Sequence, residues 1–139
     1  FRAFAEHLAL PTDYARPAQL GYHGKIHNSR IPYETYVQLR KLGEQSGTTL
    51  FMMLLTAYKA LLFRLTTQED LVVGVPIANR HYQGIEKTIG LFVNTVAIRS
   101  QCTPEMPFND FLEIVKNNTL DAYEHQDIPF ERVVEVRSY

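Results

Sequence analysis

The stretch from Leu50 to Leu65 constrains this chain more than any other. Phe51, Leu54, Leu55, Tyr58, Leu61, Leu62 and Leu65 recur at intervals of three and four, and Met52, Met53 and Phe63 widen the apolar face. Such a helix has to be covered nearly all round by other elements. Thr48 or Thr49 can cap its N-terminus. The stretch is too short to span a bilayer and carries Lys59 and Arg64, so it reads as a core helix, and its methionines as core rather than as a flexible binding surface.

The flanking segments follow from the same kind of periodicity. Phe1, Phe4, Ala5 and Leu8 are spaced as on the tail of a helix, and Leu10 to Pro17, with two prolines, reads as an extended linker. Gly21 to Ile31 alternates weakly, as an edge strand does. Pro32 to Gln45 resumes helical spacing, with Pro32 suited to a first turn and Gly47 to a stop. Leu71-Val72-Val73-Gly74-Val75-Pro76-Ile77 is a short apolar run whose β-branched residues predict an interior strand, which delivers Ala78-Asn79-Arg80 to a loop at the sheet's end. His81 to Thr88 is polar and reads as an exposed connection.

A second strand is predicted from Ile89-Gly90-Leu91-Phe92-Val93-Asn94-Thr95 through Ile98 to Arg99. Alternation puts Phe92, Asn94, Val96 and Ile98 on one face and Leu91, Val93, Thr95 and Ala97 on the other, so both faces read as largely buried. Asn94 is a lone amide among apolar neighbours. A buried amide without a partner costs roughly 1 to 3 kcal/mol. Asn94 therefore either bonds neighbouring backbone or faces a channel where ligand or water completes its bonds.

Pro107 opens a further helix whose stripe is Phe108, Phe111, Leu112, Val115, Ala122 and Tyr123, ending near His125. Asp127 can then cap a helix with Pro129 in its first turn, and Phe130, Val133 and Val134 pack inward. The order of elements predicts an α/β fold, a mixed sheet flanked by helices with the two apolar strands at its centre.

Composition narrows the function classes. With 139 residues, 45% of them hydrophobic, the chain is one domain or a piece of one. The balance of 14 basic against 15 acidic residues, with no basic run, gives no footprint for nucleic acid or for an anionic membrane. Cys102 is the single cysteine, which excludes an internal disulfide and suits a reducing cytosol, and the five histidines lack a metalloprotease spacing, so no metal is expected. The start, Phe1-Arg2-Ala3-Phe4, has no secretory pattern, and both ends read as cut. No phosphate loop, nucleophile elbow or dinucleotide fingerprint is present. The pairs Asp110/Glu113 and Glu131/Glu135 read as solvated faces, and His125 near Asp127 is a weak candidate for a general base.

Several landmarks occur in one order: Leu10-Pro11-Thr12-Asp13 then Arg16-Pro17; Thr48-Thr49-Leu50-Phe51; Glu69 to Arg80; Ile89 to Thr95 then Arg99; and His125-Gln126-Asp127-Ile128-Pro129-Phe130-Glu131. Over almost its whole length the chain resembles the C-terminal half of a condensation domain of a non-ribosomal peptide synthetase. The resemblance implies one lobe, residues 1–139, of a two-lobed fold like chloramphenicol acetyltransferase, with a tunnel between lobes. It implies peptide-bond formation in antibiotic biosynthesis, between aminoacyl or peptidyl thioesters on donor and acceptor carrier proteins. The implied partners are the N-terminal lobe, both carrier proteins and an adjacent adenylation domain. No cofactor is implied on the lobe itself, since 4'-phosphopantetheine rides on the carriers.

In that family a histidine in an H-H-x-x-x-D-G motif on the first lobe is tied to catalysis. This chain has no such motif, so no catalytic residue is assigned and the lobe alone is expected to be inactive. The resemblance makes Gly90, Phe92, Val93, Asn94 and Thr95 tunnel-lining candidates. It makes Asn79, Arg80, Gln126, Asp127, Pro129 and Phe130 candidates for interface or loop roles. The rival readings are an epimerisation, heterocyclisation or acyltransferase relative, and a non-catalytic module that binds carrier proteins. A lobe without its partner is expected to expose apolar surface and dimerise.

Overall fold

The computed structural model describes residues 8–15, 19, 21, 24–85 and 87–135. Local chemistry sets the helix ends. Helix α1 (Tyr33–Ser46) follows Pro32, which takes the cap position itself rather than the first turn, and it stops at Gly47 in the left-handed region, φ 60°. Thr48 N–H then bonds the Gly43 carbonyl at 2.9 Å. A Cβ on Gly43 would lie 3.0 Å from the Thr48 carbonyl oxygen, so glycine is what lets that turn close. Helix α2 (Leu50–Thr66) begins at Thr49, whose hydroxyl accepts from Met52 N–H at 3.2 Å. Helices α1 and α2 meet at a bend of 103°.

Strands β1 (Asp70–Ile77) and β2 (Asn94–Gln101) pair antiparallel, with Val73 opposite Ile98 and Ile77 opposite Asn94. Helices α3 (Phe108–Glu124) and α4 (Phe130–Glu135) complete the chain, with Pro107 at the cap of α3. Leu55, Val96, Ile98, Cys102, Phe111 and Val115 form the core, and Val73, Val75 and Ile77 pack against it. One face of the ribbon therefore lies against α2 and α3. Thr56, Thr66 and Thr119 sit inside helices because each hydroxyl bonds the carbonyl four residues back, at 2.6 to 2.8 Å.

Several expectations change. The α/β architecture itself stands, with an antiparallel pair of strands among the described residues and helices packed against it. The second strand starts at Asn94, not at Ile89 or Gly90, and Leu91 and Val93 are exposed rather than buried on a strand face. The cause lies in the partner strand: β1 ends at Ile77, and the chain turns away at Asn79, φ 49°, so residues before Asn94 have no backbone to pair with. Gly24 to Ile31 forms no strand, and Ile26 and Ile31 are exposed. Tyr22 and His23 lie outside the described residues, as do Phe1 to His7, Arg16 and Pro17.

Helix α2 is covered on one side only. Met52, Met53, Leu55 and Leu62 are buried, whereas Phe51, Leu54, Tyr58, Leu61 and Leu65 are exposed, because α1, α3 and the ribbon all lie on the same side. In α3 the buried stripe is Phe111, Leu112, Val115 and Thr119, and Phe108 is exposed. In α4, Phe130 and Val134 are exposed rather than packed inward. No single helix among the described residues is long and apolar enough to cross a membrane.

Candidate functional site

Three loop segments meet at the end of the ribbon where β1 stops and β2 begins, and each contains residues singled out in the sequence. Arg80 anchors the first contact. Its Nη1 donates to the carbonyls of Ile85 and Thr88, both at 2.9 Å, and its Nη2 donates to that of Gly90 at 3.2 Å. The same guanidinium lies 4.3 Å from the centre of the Phe92 ring. A Cβ on Gly90 would fall 3.1 Å from that ring, so glycine allows Phe92 to fold back towards Arg80. The described polar residues of the connection, 81–84, 87 and 88, are exposed, as the composition suggests, yet the connection is pinned by this arginine at Ile85 and Thr88.

Asn94 makes the second contact. Its Nδ2 donates to the carbonyls of Gln126 at 2.8 Å and Ile128 at 2.9 Å, and its Oδ1 accepts from Phe130 N–H at 3.2 Å. Of the two alternatives left open for this amide, the backbone one is realised. Asn94, rather than Asp127, satisfies the N–H at the start of α4, while the Pro129 carbonyl accepts from Arg132 N–H at 3.0 Å to form the first turn.

Asp127 makes the third. Tyr82 donates its hydroxyl to Oδ2 at 2.9 Å, and His81 Nε2 stands 3.3 Å from Oδ1. The His81 and Tyr82 rings pack at a tilt of 36°, with their centres 4.2 Å apart. The hydrogen bond to Asp127, with its negative charge, raises the Tyr82 pKa above the ordinary phenol value. His125, the sequence's candidate base, turns the other way: its Nδ1 lies 2.9 Å from the Asp121 carbonyl. The carboxylate pairs also separate, with Glu113 bridged to Lys116 and Glu135 to Arg132.

The segments 79–82, 85–94 and 126–130 are thus brought together, with Gly90, Phe92, Asn94, Gln126, Asp127, Pro129 and Phe130 among them. Val93 points to solvent and Thr95 sits in the ladder opposite Pro76. His81 and Tyr82 carry no signal in the sequence, because nothing local in a polar loop marks a carboxylate 45 residues away. Asn79 is different from its neighbours. Its backbone is left-handed and its Oδ1 is buried without a hydrogen-bond partner.

A second polar cluster lies in the core, also unmarked by the sequence. Lys59 is fully buried on α2, and its Nζ donates to the Ile98 carbonyl at 2.8 Å, Ser100 Oγ at 2.7 Å and the Leu71 carbonyl at 3.5 Å. Burial pushes its pKa down to about 7, with Asp70 opposing. Asn118 Nδ2 extends the network to the Arg99 carbonyl at 2.6 Å and to Ser100 Oγ at 3.3 Å. On the strands, Arg99 grips Asp70 through Nε, at 2.9 and 3.1 Å, and through Nη2, at 2.6 Å. Burial raises the Cys102 thiol pKa, with the nearby Glu69 adding to the shift.

The profile of the condensation-domain family matches residues 1–137. Bacitracin synthase 3 of Bacillus licheniformis is 46% identical over 128 residues, 92% of this chain and 2% of that protein. Tyrocidine synthase 3 of Brevibacillus parabrevis is likewise 46% identical over 128 residues, again 92% of this chain and 2% of that protein. Among solved structures, a four-domain nonribosomal peptide synthetase in its holo form, bound to AMP and glycine, superposes with a TM-score of 0.90 at 31% identity, over 94% of this chain and 10% of that one. The chain spans only a small part of the proteins it matches.

Proposed function

Because the chain belongs to the condensation-domain family, we propose that it serves as the C-terminal lobe of a peptide-bond-forming domain in a non-ribosomal peptide synthetase. In this reading the acceptor amine attacks a carrier-bound thioester. The C–S bond breaks, an amide forms, and the departing sulfur leaves as a thiol. The groups that move the proton belong to the other lobe. The work of this lobe is to build one wall of the tunnel and to hold its shape while two carrier proteins present their arms.

The observation that carries the reading is the junction itself. Arg80 grips the 85–90 loop that follows it, Asn94 grips the 126–130 turn and Asp127 is met by Tyr82, so the loop between the strands and a turn 32 residues beyond Asn94 are tied into one rim. This use of charge and amide groups supports shape rather than acid/base chemistry. The exposed apolar residues on that rim, Leu91, Val93 and Ile128, and the open face of α2 are the surfaces that the rest of the domain would cover. Partner carriers bearing 4'-phosphopantetheine, a neighbouring adenylation domain and a cytoplasmic setting belong to the same reading.

The experiment is reconstitution. The domain containing this chain, expressed with its N-terminal lobe, is supplied with one loaded donor carrier and one loaded acceptor carrier. Dipeptidyl thioester on the acceptor, detected by mass spectrometry, is the expected product. Carrier binding without any product would replace the reading with that of a non-catalytic docking module.

A further inference from the structure

The open side of α2 is a regular seam. Phe51, Leu54, Tyr58, Leu61 and Leu65 are all exposed, and they follow one another at steps of three, four, three and four residues. That is the spacing with which one helix seats another along its length. Single exposed apolar residues are ordinary, but an unbroken line of large ones marks a surface that something covers. The occupant that matches the spacing is a helix.

The chain itself brings a matching segment to one end of that seam. Ala9 N–H donates to Gln68 Oε1 at 2.7 Å, and Gln68 lies just past Thr66, the last residue of α2. Leu8, the next residue back, is half-buried. Ahead of it Phe1, Phe4 and Ala5 complete a stripe of helical spacing, within the segment Phe1 to His7 that lies outside the described residues. Phe1, Phe4 and Leu8 are separated by three and four residues, as are Tyr58, Leu61 and Leu65. At about 1.5 Å per residue both runs are about 10.5 Å long. A helix so short is marginal in water and needs an apolar surface to form on.

We propose that residues Phe1 to Leu8 form a helix seated on the open seam of α2 and parallel to it, with Phe1 against Tyr58, Phe4 against Leu61 and Leu8 against Leu65. The direction follows from the anchor: the segment ends where Ala9 meets Gln68, so it starts alongside the middle of α2. Phe51 and Leu54 lie beyond its reach and stay open. From its buried side α2 meanwhile holds both strands through Lys59, which bonds Leu71, Ile98 and Ser100. The N-terminal segment is thereby tied through one helix to the ribbon, and through the ribbon to the rim. The contact is independent of the reaction proposed above.

The test uses the two-lobe domain that contains this chain and a short bismaleimide linker. Phe4→Cys with Leu61→Cys should cross-link within one chain, read by mass spectrometry of the joined peptides. Phe4→Cys with Leu50→Cys, about 16 Å further back along α2, should not. Cys102 is buried, which leaves the linker to the introduced thiols. Cross-links between two chains would give the seam to a second copy and overturn the proposal. Equal cross-linking at both positions, or none at either, would overturn it too and leave the seam to another part of the synthetase. Hydrogen exchange supplies a reading that needs no linker. Leu61 is 52% exposed, so Leu61→Asp spares the core. Losing that apolar contact should speed exchange of the Ala5 to Leu8 amides roughly tenfold and leave the α3 amides unchanged. Unchanged exchange at residues 5–8 would count against the seat as decisively as a missing cross-link. Neither readout needs peptide formation, so a domain that cross-links yet makes no product would refute the reaction proposed above and leave this contact standing.

Discussion

Lys59 should make the stability of this fold depend on pH in a direction opposite to that of a salt-bridged lysine. Its amine has no access to solvent, and its pKa is lowered from 10.5 to about 7, chiefly by burial. Between those two values the unfolded chain holds a proton that the folded chain has released. Stability therefore rises as pH goes from about 7 to 10.5, at up to about 1.4 kcal/mol per pH unit, and the penalty of a buried charge is fully present below about pH 7. The total swing is on the order of 5 kcal/mol.

Lys59→Met keeps the length of the side chain and deletes the titration. Below pH 7 the variant escapes the cost of a charge in the core. Near pH 10.5 the wild type recovers the advantage, because its neutral amine still donates to Ile98 and Ser100 while methionine donates to neither. Urea unfolding of both proteins at several pH values from 6 to 10.5 isolates the effect. Every other titrating group, Tyr82 and Cys102 included, largely cancels in the difference between the two. The expected result is a difference that climbs by several kcal/mol towards alkaline pH, in favour of the wild type. A difference that stays flat across this range would refute the reasoning, because it would mean that the folded state leaves the amine's proton equilibrium unchanged.

Three further outcomes follow from the contacts. Asn94→Ala removes three hydrogen bonds between β2 and the turn before α4, and is expected to cost about 2 to 3 kcal/mol in denaturant unfolding. In the same variant the Phe130 amide, which loses its acceptor, should exchange with deuterium markedly faster than the amides of α3. A double-mutant cycle of Asp70→Asn and Arg99→Met should return a coupling of about 1 kcal/mol, modest because both side chains retain some solvent contact, and it should shrink with added salt.

What the sequence makes legible is whatever local chemistry decides. The ends of α1 and α2 follow from Gly47 and Thr49, which act through backbone groups within a few residues. The core face of β2 follows from the alternation of Val96 and Ile98, which any strand with one covered side must show. The start of β2 is not legible, because apolar alternation continues back through Phe92 and Gly90, whereas a strand exists only where a partner runs beside it. Asn79 turns that partner away, and alternation carries no record of it. Lys59 reads as an interruption of an apolar helix for a similar reason: its acceptors, at Leu71, Ile98 and Ser100, are supplied by two strands that the helix itself does not encode.

The rim shows why a candidate residue and a ligand contact are separable questions. An amide in an apolar strand advertises an unmet need, and the sequence can say that Asn94 has one, but it cannot say who meets it. The carbonyls that do so lie 32 and 34 residues further along, in a segment marked for other reasons. Once they are engaged, Asn94 has become part of the frame, and the question passes to whichever polar group the frame leaves over. That group is Asn79, whose position after Pro76-Ile77-Ala78 looks in sequence like an ordinary turn residue. The distinction is testable on the two amides together. Asn94→Ala should loosen the rim and lower stability, whereas Asn79→Gly, which removes a side-chain oxygen that holds no partner, should leave stability intact, so a pair of variants that behaved alike would show that the two amides do the same work.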